Sequence, residues 1–280
     1  MVLRRVADRV YAETDGSNAG NLGAIVLEDE VVFVDSGMYH QVTRKARDEL
    51  VATENLPVRR LLITHYHSDH TWGAQGLGQV TMICSHETKR VYQEAIRSSW
   101  SRKQITEWAA SERDTRPLLL AAVPTLAYRL PDITFEGTLR LGVGSEISFK
   151  EVGGHTAGSC TVVLGPDDVI FTGDLIFNGQ FPYAGDSTAD PDRWISALEE
   201  IQHHAYDLII PGHGEICTSD TVREVMQFLQ ALRENVRTAV EDELTPEDFI
   251  NRNLMPDYHK DPTGHRTKTT LERWFQYYRK

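Results

Sequence analysis

A run of six residues, His65-Tyr66-His67-Ser68-Asp69-His70, constrains the folding of this chain more than any other feature. It places three imidazoles and a carboxylate directly after the apolar run Leu61-Leu62-Ile63, which predicts a buried strand ending at the motif. Imidazole nitrogen suits zinc, iron, copper or nickel, and an added carboxylate is typical of catalytic zinc and non-haem iron sites. The segment therefore predicts a metal site at the end of a strand.

Three further candidate ligands repeat this arrangement later in the chain. His155, Asp174 and His213 each follow an apolar, strand-like run, and each is flanked by glycine, which allows the backbone to turn sharply. Side chains on loops at strand ends can converge on one place although they lie far apart in sequence. We therefore expect all these loops to meet at one edge of the fold.

The ordered motifs resemble those of the metallo-β-lactamase superfamily: His-x-His-x-Asp-His, Gly-His-Thr-x-Gly-Ser, Gly-Asp and Pro-Gly-His-Gly. The resemblance covers about Val6 to His213. It implies an α/β fold, a four-layer αβ/βα sandwich with a dinuclear metal site at one edge. It also implies a first metal held by His65, His67 and His155, a second held by Asp69, His70 and His213, and Asp174 as the bridge.

The domain organisation follows from the extent of these motifs. Residues 1–218 are expected to form the metallo-β-lactamase-like domain, with a helical insertion at about 87–130. Residues 219–280 are expected to form a C-terminal helical extension packed on the same domain. Apolar residues at three- and four-residue steps from Val222 to Val236 indicate its first helix.

Local patterns predict several elements. Leu3 to Tyr11 indicates one strand, and a helical stretch is expected from His86 to about Glu112. Three prolines after that stretch favour loops and short strands. Asp190 is expected to be the N-cap of a helix that begins at Pro191. A last helix is predicted over Thr269 to Tyr278.

Composition and charge narrow the class of partner. The net charge of −12 disfavours a nucleic-acid partner, because phosphate binding needs a basic surface. The basic cluster His265, Arg266 and Lys268 is expected to be a solvated helix face or loop. The chain shows no signal peptide and no membrane-spanning run, so a cytoplasmic protein without a membrane partner is expected. Its three cysteines are expected to be buried thiols. Oligomeric state stays open.

Two close divalent metals define the expected chemistry. Coordination lowers the pKa of water to about 7 in favourable cases, so a hydroxide bridging the metals would attack a carbonyl carbon. Asp69 is expected to orient this nucleophile and manage its proton. The expected cofactors are two zinc ions, with iron or manganese as alternatives. Thr64, Thr156 and Ser159 are candidates to hydrogen-bond the ligand imidazoles.

Residues around Asp174 narrow the substrate. The resemblance places a bridging aspartate with the glyoxalase II and lactonase branches rather than with true β-lactamases. Phe177 stands where the lactonases carry tyrosine, and Tyr183 stands where glyoxalase II carries lysine. A small ester, lactone, thioester or amide is therefore expected, with β-lactams and S-lactoylglutathione as poor substrates. The pocket candidates are Phe177, Phe181, Tyr183 and His86.

Other functions stay open. A mononuclear iron dioxygenase acting on persulfides would use the same early histidines, the third histidine and the aspartate, with one iron per chain. A phosphodiesterase or nuclease of the same superfamily is a further alternative, which the acidic charge disfavours. A non-catalytic protein that kept the fold is disfavoured, because all seven ligand positions are filled.

Overall fold

Two stacked β-sheets form the centre of the structure, a computed structural model that describes residues 2–279 without the side chain of Ser145. The strands within these residues are β1 Arg4–Ala7, β2 Val10–Glu13, β3 Leu22–Val26, β4 Val31–Val34, β5 Val58–Leu62, β6 Thr81–Ser85, β7 Ile133–Phe135, β8 Thr138–Leu141, β9 Ile147–Glu151, β10 Cys160–Leu164, β11 Val169–Phe177 and β12 Leu208–His213. In the first sheet the strands lie in the order β1 to β7. Neighbouring strands are antiparallel from β1 as far as β4, and parallel from β4 to β7. The second has the order β12-β11-β10-β9-β8, with only β11 and β12 parallel.

Helices cover the two outer faces of the sheets. The α-helices within the described residues are α1 His40–Glu54, α2 Ser68–Thr71, α3 His86–Arg97, α4 Arg102–Ser111, α5 Pro117–Ala122, α6 Pro191–His204, α7 Ser219–Glu241, α8 Pro246–Asn251 and α9 His265–Tyr278.

The alternation of side chains along the strands explains this layering. In β4, Val32 and Val34 pack between the sheets, whereas Val31 and Phe33 pack on the other face with Leu50 of α1. The outer face of the second sheet packs against α6, α7 and α9. The result is the expected α/β fold, in which helix, sheet, sheet and helix are stacked in four layers.

Three predicted elements differ from the structure. The prediction of one strand from Leu3 to Tyr11 is wrong, because the chain turns after β1 and β2 pairs back against it. The helical stretch from His86 is interrupted, because Ser101 accepts a hydrogen bond from Gln104 N and starts a new helix, α4. The segment after α4 was predicted to be a loop but contains α5, which begins at Pro117. Proline is tolerated at the first position of a helix, because the N–H of that residue makes no hydrogen bond within the helix.

Other local predictions are confirmed. Asp190 caps α6 by accepting a hydrogen bond from Arg193 N, and Pro191 is the first residue of that helix. The three cysteines are buried and form no disulfide. The last helix forms as expected but begins earlier, at His265. Within residues 2–279, no helix is both long enough and apolar enough to cross a bilayer.

The C-terminal helices share one apolar cluster with the second sheet. Trp274 and Phe275 of α9 are fully buried with Phe249 of α8, Leu229 of α7 and Trp194 of α6. Helix α9 also holds the loop of residues 178–190, which follows β11. We therefore propose that residues 219–280 are an extension of the same folding unit as residues 1–218.

Four residues of α9 hydrogen-bond to this loop. Arg266 donates to the Phe181 carbonyl and Arg273 to the Ala189 carbonyl. Thr270 Oγ1 accepts from the amide of Ala184, and the hydroxyl of Tyr277 donates to Asp190. The course of the loop therefore depends on the position of α9.

Removing the indole at position 274 tests the single folding unit. Trp274→Ala is expected to lower the free energy of unfolding of the whole chain by about 3–5 kcal/mol, because it leaves a large cavity in a shared core. Denaturant unfolding followed by fluorescence and by far-UV circular dichroism should give one coincident, weakened transition. Glu272→Ala, on the exposed side of α9, is the control and should change stability by about 0.5 kcal/mol at most. A separate early transition would contradict the proposal.

Candidate metal centre

The seven predicted ligands meet at one edge of the two sheets. His65 and His67 lie in the loop after β5, and the short helix α2 carries the next two ligands. The third histidine of the first group lies in the loop between β9 and β10, while Asp174 lies within β11 and His213 ends β12. Strand β11 loses its regular register beside Gly173, so Asp174 lies in an irregular stretch of an otherwise buried strand.

Glycine at position 212 allows this approach of β12 to β11. A Cβ atom there would lie 2.0 Å from Asp174 Oδ1 and 2.6 Å from the carbonyl carbon of Gly173. Any other residue would push the strand away from the carboxylate. The Pro-Gly-His-Gly motif therefore has a structural reason for its first glycine.

The first group of donor atoms is compact. His67 Nδ1 lies 3.1 Å from His65 Nε2 and 3.0 Å from His155 Nε2. Asp174 Oδ2 lies 3.6 Å from His65 Nε2 and 3.5 Å from His155 Nε2. Zinc–nitrogen bonds of about 2.0–2.1 Å place tetrahedral donors about 3.3 Å apart. These separations therefore fit the coordination of one ion.

The second group lies on the other side of Asp174. Donor atoms of Asp69, His70 and His213 all lie within 4.8 Å of one another. Asp174 Oδ1 is 3.0 Å from His70 Nε2, and Asp174 Oδ2 is 3.3 Å from His213 Nε2. His70 Nε2 and Asp174 Oδ1 are both buried, and neither has a hydrogen-bond partner among the described residues. Two buried polar atoms that face each other in this way fit a cation.

Protonation states agree with metal binding. Burial lowers the pKa of His155 to about 3 and the pKa of His65 well below its usual value, so both imidazoles are neutral. Burial alone would raise the pKa of Asp174, but the imidazoles of His213 and His70 outweigh it and hold that pKa well below the usual range. Neutral imidazoles and an ionised carboxylate are the forms that bind metal cations.

His70 differs from His65 and His155. Burial lowers the pKa of His70, but the carboxylates of Asp174 and Asp35 outweigh burial and raise that pKa well above its usual value. A cation that binds at Nε2 must therefore displace a proton from this imidazole.

Two carboxylates that the sequence analysis did not identify each contact the second ring nitrogen of a candidate ligand imidazole. Asp35 Oδ2 lies 2.9 Å from His70 Nδ1, and Asp186 Oδ2 lies 3.0 Å from His67 Nε2. Asp35 follows β4 directly, so its place at a strand end was a signal that could have identified it. Asp186 lies in the loop of residues 178–190, where no sequence pattern marks it. Each group of ligands thus has its own supporting carboxylate.

Of the three hydroxyl residues that were predicted to hydrogen-bond ligand imidazoles, only Thr64 contacts one. Thr64 Oγ1 lies 3.1 Å from His65 Nδ1 and also donates to Asp35, so it reaches a ligand as expected. Thr156 and Ser159 instead bond to each other, 2.8 Å apart, and His155 Nδ1 has no partner among the described residues. The turn that carries His155 uses these hydroxyls to fix its own backbone.

A cavity of about 420 Å³ opens over the two ligand groups. Phe177 and Tyr183, two of the pocket candidates, line it, and the insertion contributes Trp100, Trp108 and Arg116. Residues of α9 also reach it, as described below. A larger cavity of about 540 Å³, between the outer face of the second sheet and α6, contains none of the candidate ligands.

Two pocket candidates lie elsewhere. Phe181 is buried and packs edge-on against Phe228 of α7, with ring centroids 5.5 Å apart. His86 is exposed at the first residue of α3 and does not line the cavity. Neither side chain is placed to contact a molecule at the metal centre.

Fold and site together define a two-sheet αβ/βα protein with a histidine–carboxylate centre at its edge. The chain belongs to the metallo-beta-lactamase superfamily, since residues 16–213, more than half of its length, match the model of that family. Members of this superfamily are metal-dependent hydrolases. The predicted family and fold class are therefore confirmed.

Individual relatives are distant. The chain is 20% identical over 266 residues to a linear primary-alkylsulfatase from Pseudomonas sp., a match that covers 84% of this chain and 50% of that protein. It is 26% identical over 186 residues to a hydroxyacylglutathione hydrolase from Prochlorococcus marinus, a match that covers 66% of this chain and 60% of that protein. A solved sec-alkylsulfatase from Pseudomonas sp. superposes with a TM-score of 0.74 at 16% identity, covering 99% of this chain and 50% of the other. The chain thus spans between half and three-fifths of these proteins.

The supporting carboxylate of His67 generates a prediction. Asp186→Asn is expected to weaken zinc binding about 10–100-fold, because the amide no longer fixes the imidazole or raises its basicity. Zinc affinity would be measured by competition with a chromophoric chelator. Asp168→Asn is the matched control, since Asp168 lies 2.9 Å from the exposed imidazole of His204, outside the cavity. Equal zinc affinity in Asp186→Asn and in the unaltered protein would show that this contact plays no part in metal binding.

Proposed function

We propose that this chain is a dinuclear, zinc-dependent hydrolase of small carbonyl compounds: esters, lactones, thioesters or amides. The supporting observation is that two groups of donor atoms share the buried carboxylate of Asp174. Imidazole nitrogen together with carboxylate oxygen suits zinc. Two bound zinc ions would supply a hydroxide nucleophile near neutral pH and polarise the substrate carbonyl.

Asp69 is the residue best placed to handle the proton of the attacking water. Its side chain is 22% exposed, lines the cavity, and lies with Oδ2 3.4 Å from His213 Nε2. Burial alone would raise the pKa of Asp69, but His70 and His213 outweigh it and lower that pKa, so the carboxylate is ionised and accepts a proton. In the reaction, the oxygen of water bonds to the carbonyl carbon, the bond to the leaving group breaks, and the leaving group takes up a proton.

The cavity walls favour a small organic substrate over a polymer. Tyr66, Trp100, Trp108, Phe177 and Tyr183 supply apolar ring faces around the ligand groups. Such walls bury the apolar part of a substrate and exclude water from the reacting centre. The strong acidic charge and the free thiols further support a cytoplasmic enzyme with a small-molecule substrate.

Metal content tests the dinuclear centre. Elemental analysis should find two zinc ions per chain, and Asp174→Ala should lose more zinc than His213→Ala. The reason is that Asp174 lies within 3.6 Å of imidazoles from both groups, whereas His213 belongs to one group. Equal zinc loss in the two variants would contradict a bridging role. A single iron per chain with oxygen-dependent turnover would instead support the persulfide dioxygenase alternative.

A substrate panel tests the reaction. The zinc-loaded protein is expected to give its highest kcat/KM with an aryl ester or a lactone, and His67→Ala should abolish turnover of both. A penicillin should be poor, because the bridging aspartate expected at position 174 is typical of the glyoxalase II and lactonase branches rather than of the true β-lactamases. If the penicillin were preferred by more than about a hundredfold, roughly 2.7 kcal/mol of transition-state preference, the proposed substrate class would be wrong. If S-lactoylglutathione were preferred by that factor, the substrate would be a glutathione thioester.

A further inference from the structure

Cationic side chains line one part of the cavity, and the metal-binding residues do not use them. The guanidinium of Arg266 comes from the first turn of α9, and that of Arg116 comes from the insertion. The chain as a whole carries a net charge of −12, so the guanidinium groups in its cavity are opposite in sign to the net charge. The expectation that the cluster around Arg266 is a solvated face is therefore wrong for Arg266, which is partly buried.

Three contacts hold the guanidinium of Arg266 in place. It lies over the ring of Phe177, 5.5 Å from the ring centre. Its Nη1 donates to Gln180 Oε1 at 3.2 Å and to the carbonyl of Phe181. The side chain is thus fixed before any ligand binds, which lowers the entropy that binding would cost.

The other side of the same guanidinium is available. Among the described residues, Nε and Nη2 of Arg266 have no hydrogen-bond acceptor, and no carboxylate lies within ion-pair distance. Nε and Nη2 form the edge of a guanidinium that binds a carboxylate, sulfate or phosphate through two parallel hydrogen bonds.

Other arginines near the cavity are already committed. Arg273, on the same helix, donates Nε and Nη2 to the Ala189 carbonyl. Arg102, in the insertion, donates to the carbonyls of Val123 and Leu126. Arg116 lies 5.9 Å from the ring centre of Trp108 with its side chain 46% exposed, so its charge is well screened. Arg266 is therefore the strongest anion ligand of the cavity.

We propose that Arg266 binds an anionic group of the substrate, so that the preferred substrates are esters or thioesters carrying a carboxylate or another oxyanion away from the reacting carbonyl. This inference rests on the proposed hydrolase function and specifies its substrate class. Phe177 connects the two sites, because its ring stacks on His213 at 4.9 Å and also contacts Arg266. An anion on Arg266 therefore lies beside the metal centre but apart from it.

Two esters of equal length provide the test: 4-nitrophenyl pentanoate and 4-nitrophenyl hydrogen glutarate, which differ in a terminal methyl or carboxylate. The measured quantity is the ratio of kcat/KM for the charged ester to that for the neutral ester, with zinc-loaded protein. Arg266→Gln should lower this ratio about tenfold or more, since a hydrogen bond to a charged group is lost. The loss should appear mainly in KM. Arg266→Lys keeps the positive charge but loses the two parallel N–H donors of the guanidinium, and it should lower the ratio by a smaller factor.

Lys268→Gln is the matched control. It removes the same charge from the same helix, but Lys268 is exposed and does not line the cavity. Glutarate as a competitive inhibitor of the neutral ester gives a second measurement, and its inhibition constant should rise about tenfold in Arg266→Gln.

Each outcome decides a different question. An unchanged ratio and an unchanged inhibition constant in Arg266→Gln would overturn the anion site and leave the hydrolase function intact. An equal fall in Lys268→Gln would also overturn it, because the effect would then come from net charge. Failure of the zinc-loaded unaltered protein to hydrolyse either ester would overturn the proposed function itself. If Arg266→Gln does not fold, Arg266→Lys supplies the comparison.

Discussion

The buried carboxylate of Asp174 is the group on which the rest of the site depends. It lies within 3.6 Å of four imidazoles, on a strand whose side chains are buried throughout. An ionised carboxylate in such a position costs several kcal/mol unless positive charge surrounds it. The convergence of strand ends, the close approach at Gly212 and the carboxylates that contact His67 and His70 together place the imidazoles around this carboxylate.

The sandwich was predicted from the resemblance of the motifs to a known family, whereas the candidate ligand groups could be located from local sequence patterns. Each of these residues follows a short apolar run in the sequence, and the ends of neighbouring strands lie close together for any length of the loops between them. The motif His65 to His70 therefore carries its own structural context. Helix starts such as Asp190-Pro191 were predictable for the same reason, since a cap and a first-turn proline act within one turn.

Residues that act through long-range contacts were not predictable. Asp186 reaches His67 from an irregular loop, and Arg266 reaches the cavity from a helix more than fifty residues beyond the last ligand. Nothing in the local sequence distinguishes these side chains from solvated ones, because their partners are set by the path of the whole chain. Phe181 is the opposite case. It was predicted to line the pocket, but its ring packs in the apolar cluster of the C-terminal helices. Under the proposed function, the substrate class would be decided by segments outside the metal-binding motifs.

Helix α9 and the metal centre are joined by the loop of residues 178–190. The helix fixes this loop through the Phe181 and Ala189 carbonyls and the Ala184 amide, and the same loop supplies the carboxylate that orients His67. Two events that order one segment are thermodynamically linked, and the linkage is reciprocal. A metal ion held by the histidines would therefore also act as an effector of the C-terminal helix. A change that frays the helix would then weaken metal affinity, and metal binding would stabilise the helix by the same free energy.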